Sequence, residues 1–319
     1  MGLEAGAETA IHQCLDLQPD ERCLIVTDDE RLPIGEALYE AARAVTEDAV
    51  LMRYPPGETH GEEPPSQVAA ALGATDAFLA PTSKSISHTR ARSDATEAGV
   101  RGATLPGITE DVFERGLSAD YDRIRETCEQ VHEAVREAEE IRITAPAGTD
   151  ITIEPGDREW RLDTGTVQEP GTFSNLPAGE VFVSPVTADG TYVVDGTMRP
   201  YGHLEEGQTL SFTVEDGYVT DISDDEIRAT VEAAAETVGD AAYNLAELGI
   251  GTNLAVTDLV GSVLLDEKAA GTVHFAIGDD AGIGGDTDAP IHLDGIVKAP
   301  TVTVDGTEID LPTPDAADT

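Results

Sequence analysis

The sequence predicts an α/β N-terminal domain with a small doubly wound parallel sheet, followed by an α+β C-terminal domain rich in antiparallel strands that carries a metal site. Two observations predict this. Up to about residue 135, runs of four apolar residues alternate with amphipathic helical stretches. Beyond it, short strands are punctuated by Gly and Asp clusters, and a single helix interrupts them.

The first half reads as follows. Cys23-Leu-Ile-Val26, Ala49-Val-Leu-Met52, Ala77-Phe-Leu-Ala80 and Ala103-Thr-Leu-Pro106 are short apolar strands. Helices fit Leu32 to about Val45, with Asp29 or Glu30 near the positive end of the dipole, then Pro65 to Leu72 and Ser87 to Ala98. Apolar runs separated by helices imply parallel strands covered on both faces. A charged helix from Tyr121 to about Glu140, with Ile124, Cys128, Val131 and Val135 on one stripe, links the halves. The expected domains are therefore 1–138 and 139–319.

In the second half Ile141–Thr144, Asp150–Ile153, Val181–Val183, Thr191–Val194, Thr209–Val214 and Tyr218–Ile222 alternate as strands, with Glu215-Asp-Gly217 as a hairpin turn. Asp224 to Val238 is the helix, with Ile227, Val231, Ala234 and Val238 on one stripe. Asp315 to Thr319 reads as a loose tail.

Charge narrows the setting. The chain has 63 acidic side chains against 19 basic ones, a formal net of −44, and its lysines are only Lys84, Lys268 and Lys298. Such self-repulsion opposes a compact state in dilute buffer. At molar salt the Debye length falls to roughly 3 Å and the repulsion is screened. The surface thus reads as adapted to a salt-filled cytoplasm. Nucleic acid and anionic membrane, both negative, are poor partners for it. Cys14, Cys23 and Cys128 form no CxxC pair and read as small buried hydrophobes. No signal-like segment opens the chain and no stretch approaches the ~20 apolar residues of a membrane span, so a cytoplasmic protein is expected.

Candidate chemistry lies in the second half. His12, His60, His132 and His203 sit in polar or helical text, whereas His274 and His292 sit in strand-like apolar text bounded by glycines. His292 and Asp294 are two apart, so on a strand both point to one face. An imidazole and a carboxylate then converge as a divalent cation requires. The Gly-rich stretch Asp279–Asp288 could bring His274 beside them. Glu180 leads an apolar strand and Glu247 is flanked by apolar residues on both sides. Burying either carboxylate unpaired costs several kcal/mol, so each should be paired or bound to metal.

With these residues in view, the sequence resembles the aminopeptidase T/aminopeptidase S family of dinuclear metallo-aminopeptidases. The resemblance rests on Asn175–Pro185 (NLPAGEVFVSP), Asn244–Asn253 (NLAELGIGTN), Asp266–Gly278 (DEKAAGTVHFAIG) and Pro290–Gly295 (PIHLDG), with Val26–Pro33 and Pro81–Thr89 in the first half. It implies metal ligands at Glu180, Glu247, His274, His292 and Asp294, and two divalent ions, zinc or cobalt. It also implies hydrolysis of N-terminal residues from small peptides, and a homodimer. Glu247 is then the catalytic bridging carboxylate, holding the ions about 3.5–4 Å apart around an activated water. One departure stands out: where that family carries a catalytic Tyr, this chain has Ala281. Nothing in the sequence marks substrate-binding residues.

Two other readings compete. His274, His292 and Asp294 are also the two imidazoles and one carboxylate of a mononuclear non-haem Fe(II) site, as in proteins resembling 2,5-dihydroxypyridine dioxygenases, and loss of the Tyr suits that chemistry. A non-enzymatic small-molecule binder is the other, using the switch point of the parallel sheet near Thr82-Ser-Lys-Ser85.

Overall fold

The computed structural model describes residues 2–314. It divides into two compact units, one built from residues up to Arg125 with Asp163–Ala178, the other from Glu126–Leu162 with Gly179 onward. The division is discontinuous, where the sequence suggests a single cut after residue 138. The chain leaves the first unit within the helix Tyr121–Val135 and returns to it once. The tail expected at Asp315 to Thr319 lies outside the described residues.

The first unit holds a five-stranded parallel sheet in the order Ala49–Tyr54, Cys23–Asp28, Ala77–Thr82, Arg101–Pro106, Phe173–Asn175. Cys23–Asp28 and Ala77–Thr82 are buried at every position, as strands covered on both faces must be. Leu24, Val26, Phe78 and Ala80 pack against Val68, Leu72 and Ala95 of the helices Ser66–Leu72 and Arg90–Glu97. Each large side chain buried there contributes about 1.5–3 kcal/mol. Asp28, rather than Asp29 or Glu30, prepares the helix Leu32–Val45: its Oδ1 accepts from the Glu30 and Arg31 amides, 3.0 Å each. Arg90–Glu97 starts three residues later than expected because Thr89 is its N-cap, accepting from the Arg92 amide at 3.3 Å. The helices Leu3–Thr9 and Glu110–Gly116 and the fifth strand carry too little apolar pattern to be read in advance.

The second unit contains two seven-stranded sheets. One is antiparallel throughout and runs in the order Tyr218–Ile222, Leu210–Glu215, Thr187–Val194, Asp150–Glu154, Ile141–Thr144, Thr301–Val304, Thr307–Ile309. The other runs Gly202–His203, Thr197–Met198, His292–Val297, Val273–Gly278, Leu245–Gly251, Glu180–Val183, Arg161–Asp163. Between them, the Tyr192 ring stacks 4.6 Å from Phe212 in its own sheet and lies 4.7 Å from Phe275 in the second. A Cβ on Gly295 would likewise collide with Val194 of the first sheet. Phe275 and Gly295 therefore face inward. Strand alternation then turns His274, His292 and Asp294 to the opposite face.

The three cysteines are buried and form no disulfide among the described residues. Among the described residues no helix is long and apolar enough to cross a membrane.

Candidate metal centre

Four adjacent antiparallel strands deliver the site. In register, Glu180 lies opposite Gly251, His274 opposite Gly249, and Asp294 opposite Ala276, which in turn lies opposite Glu247. All five residues singled out from the sequence thus stand on one face of one sheet, with glycine or alanine between them. The small residues are what let the ligands meet. A Cβ on Gly249 would collide with Cε1 and Nε2 of the His274 imidazole and lie 2.8 Å from its Nδ1, so the ring occupies the space that glycine leaves. Gly251 gives the same room to the backbone at Lys268 and Ala269.

Glu247 is the centre of the cluster. Its Oε1 lies 3.3 Å from His274 Nε2 and its Oε2 lies 3.3 Å from His292 Nε2. Glu180 Oε2 approaches His274 Nε2 at 3.5 Å, and Asp294 Oδ1 approaches His292 Nε2 at 3.2 Å. The donors form two groups that share Glu247: Glu180, Glu247 and His274, and Glu247, His292 and Asp294. The two imidazoles fall in different groups, on either side of the shared carboxylate. His274, Glu180 and Glu247 are 1, 5 and 5 % exposed, whereas the His292 side chain is 33 % exposed, so the site opens on the His292 side.

His292 Nδ1 lies 2.7 Å from the Asp279 carbonyl oxygen. A carbonyl only accepts, so Nδ1 carries a proton and Nε2 is the atom turned to the cluster, where it would offer its lone pair to a metal once the ring is neutral. The loop after Asp279 is held from within. Asp280 is buried and accepts from Ser184 Oγ and Asn244 Nδ2, both at 2.9 Å, and from the Thr287 amide at 2.6 Å. Its carboxylate is spent on holding the Gly-rich loop. Ala281 is exposed in a short 3-10 turn and brings no functional group to the site.

Two residues not singled out as site residues complete the cluster. Lys268, 4 % exposed, pairs through Nζ with Glu180 Oε1 and, at 2.8 Å, with Glu267 Oε1. One signal was available: Lys268 is among the few lysines of a very acidic chain and stands in the Asp266–Gly278 segment.

Electrostatics show that the site fits a cation. Four carboxylates, Glu180, Glu247, Glu267 and Asp294, gather around two imidazoles and one ammonium. Burial raises the Glu180 carboxyl to about 8, against the pull of Lys268. Burial opposes the charged form of His274 too, yet the hydrogen bond with Glu247 and the charge of Glu180 hold it at about 9. His292 is raised well above its ordinary value against its burial, chiefly by Asp294 and Glu247. Burial works against charge on Glu247 as well, but the two histidines lower its pKa. In the metal-free chain, protons thus stand in for missing positive charge. Glu180 Oε2 and His274 Nδ1 are buried without a hydrogen-bond partner among the described residues, and a carboxylate oxygen left so beside such a set is what a divalent ion would satisfy. Nitrogen and oxygen donors of this kind suit iron, zinc, cobalt or manganese.

Replacing Lys268 tests how much its charge matters. Lys268→Met should cost on the order of 3–5 kcal/mol of stability by stranding two buried acids, and weaken metal binding roughly ten- to hundredfold by freeing Glu180. Lys268→Arg should recover part of the affinity. A metal titration with unchanged affinity in Lys268→Met would reduce the lysine to a fold-only role.

Comparison with known proteins assigns the lineage. The profile of the family described as NicX: 2,5-dihydroxypyridine 5,6-dioxygenase matches residues 7–310. The chain belongs to the NicX family. The 2,5-dihydroxypyridine 5,6-dioxygenase of Pseudomonas putida KT2440 is 24 % identical over 198 residues, which cover 58 % of this chain and 55 % of that one. That alignment spans about half the length of the curated relative. The solved structure of 2,5-dihydroxypyridine dioxygenase from Pseudomonas putida KT2440 superposes with a TM-score of 0.78 at 18 % identity, covering 99 % of this chain and 97 % of the other. Wild-type AmpT from Thermus thermophilus superposes at 0.68 and 18 % identity, covering 96 % of each. Both structures speak to the fold alone.

Membership of the NicX family corrects the main expectation. The likeness to aminopeptidase T holds as a relationship of fold. The hydrolase, aminopeptidase and protease reading does not, because the profile spanning nearly the whole chain is that of a dioxygenase. With it falls the hydrolytic role given to Glu247. The physical reason is that the fold is shared with both kinds of protein, and a set of imidazoles and carboxylates suits a divalent ion in either chemistry. The motifs at Glu180, Glu247, His274 and His292 record how the sheet is built.

Proposed function

We propose that this protein is a non-haem iron(II) dioxygenase that opens the ring of a dihydroxylated pyridine or a closely similar aromatic. The observation that carries the proposal is the family profile over residues 7–310. By residue type His274, His292 and Asp294 are the two-histidine, one-carboxylate set that iron(II) oxygenases use; in the metal-free chain Glu247 stands between the two imidazoles, which belong to different donor groups. Iron(II) held there would supply the path for electrons between a ring diol and O2, both of whose atoms enter the product. The chain does the rest. Asp279 fixes the His292 ring through its carbonyl, Glu247 orients both imidazoles, and Lys268 holds Glu180. The open His292 side is the natural approach for substrate.

The same donors also form two groups around Glu247, the arrangement that a pair of ions such as zinc or cobalt would use, so the metal count belongs in the test. Protein purified in molar KCl and loaded anaerobically with ferrous ion is expected to consume O2 mole for mole with 2,5-dihydroxypyridine and to lose activity on chelation. Zinc-loaded protein should be inactive. Iron-loaded protein that leaves every dihydroxylated pyridine and benzene tested untouched, with no O2 uptake, would overturn the reading.

A further inference from the structure

We propose that the first unit carries a second small-molecule site, at the carboxyl ends of its parallel strands, that takes an aromatic carboxylate with Lys84 as the anion anchor. The proposal does not depend on the metal centre. A cavity of about 340 Å3 lies where the strands Ala49–Tyr54 and Ala77–Thr82 give way to their loops, and Lys84 lines it. In an open parallel sheet, ligands bind outside the carboxyl ends of the strands near the point where strand order reverses. Here that point falls between Cys23–Asp28 and Ala77–Thr82, and the Lys84 loop leaves from the second of these.

The loop is built to hold Lys84 in place. Thr82 Oγ1 donates to the Lys84 carbonyl at 2.6 Å, the Ser85 amide donates to His60 Nδ1 at 3.1 Å, and the Gly61 amide donates to the Ser85 carbonyl at 2.8 Å. Lys84 is half-buried, and its ammonium makes no hydrogen bond or ion pair among the described residues. In a chain of 63 acids this is unusual, the more so because Glu62 and Glu63 line the same cavity. Both acids are committed elsewhere. Glu62 Oε2 accepts from the Glu58 amide at 2.6 Å, and Glu63 accepts from the Arg90 and Ala91 amides at 2.6 and 3.2 Å. Glu63 also faces Arg90 at 3.6 Å, and neither acid pairs with Lys84, whose ammonium is left to meet a ligand.

The walls set the rest of the ligand. Pro55, Pro56, Pro64, Pro65, Ile86 and Tyr54 present flat apolar surface, and ring faces suit a planar ring. Burial, with Asp28 and Glu62 nearby, pushes the Tyr54 phenol up to about 12, so it stays a hydrogen-bond donor. The volume matches a one-ring compound, near the lower end of the roughly 300–1,000 Å3 of small-molecule sites.

Titration calorimetry with benzoate on metal-loaded protein in molar KCl tests the proposal, with acetate and benzamide as single-feature probes. Benzoate should bind more tightly than either. Lys84→Met should weaken benzoate roughly ten- to hundredfold, the range of one charge-assisted hydrogen bond, and Lys84→Arg should keep it within a few fold. Wild-type benzoate binding that is absent, or unchanged in Lys84→Met as it would be for benzoate bound at the metal, overturns the site. A thermal melt of Lys84→Met matching wild type shows that lost binding is not lost fold.

Discussion

Glu247→Ala should leave a folded protein that binds metal at least about a hundredfold more weakly and shows no measurable ring opening. A partner that only orients a ligand already costs about 10–100-fold in affinity when removed. Glu247 does more, because its two oxygens face His274 and His292 separately, at 3.3 Å each. Without it the two donor groups have no common member, and the proton on His274 loses its first hydrogen-bond acceptor. Glu247→Gln, which keeps the shape and one acceptor, should fall between wild type and Ala. Glu180→Gln adds a contrast. If one ion sits on the His292 side, this variant weakens metal less than Glu247→Gln does. If two ions bind, it halves the metal content. Metal analysis and O2 uptake on the three variants read these outcomes, and full occupancy with full activity in Glu247→Ala would remove the centre described here.

The parts of the fold legible in the sequence were those where one physical constraint acts alone. Cys23–Asp28 and Ala77–Thr82 are buried on both faces, so their first four positions are apolar or small and the run declares itself, with Thr27, Asp28 and Thr82 only at the carboxyl ends. Phe173–Asn175 joins the same sheet with three half-buried residues, and nothing in Phe-Ser-Asn distinguishes it from a loop. Its place depends on the chain returning from the second unit, a non-local fact. The site followed the same rule. His292 and Asp294 were legible from a strand period of two. Glu180 and Glu247 were legible because acids in apolar text need a partner. Lys268 was not, since its partner Glu180 lies 88 positions away and the pairing exists only once the sheet forms.

Function was the least legible level, for a reason the geometry makes plain. Three carboxylates and two imidazoles on one sheet face serve any chemistry that wants a divalent ion, and the motifs that place them are constraints of the sheet. The donor set therefore does not by itself choose the reaction. At Ala281 the difference consists of something missing, and a missing side chain is weak evidence in a single sequence.

Gly249→Ala is the sharpest steric test of that sheet face. The substitution adds one methyl on a strand whose backbone would accept alanine readily, so propensity predicts almost nothing. The structure predicts otherwise. The new Cβ lands on Cε1 and Nε2 of His274, a ring 1 % exposed between Glu180 and Glu247 with no free direction to swing. Overpacking of this kind costs about 1–3 kcal/mol, and a ligand displaced by about 1 Å can cost on the order of a hundredfold in rate. Gly249→Ala should therefore lower the melting temperature modestly while metal affinity and ring opening fall at least tenfold. Gly73→Ala, where the nearest atoms to the added Cβ stand at 3.9 Å, serves as the neutral control. Should Gly249→Ala keep wild-type metal affinity and turnover, the His274 ring does not lie over Gly249 in the working enzyme, and its place in the cluster falls with it.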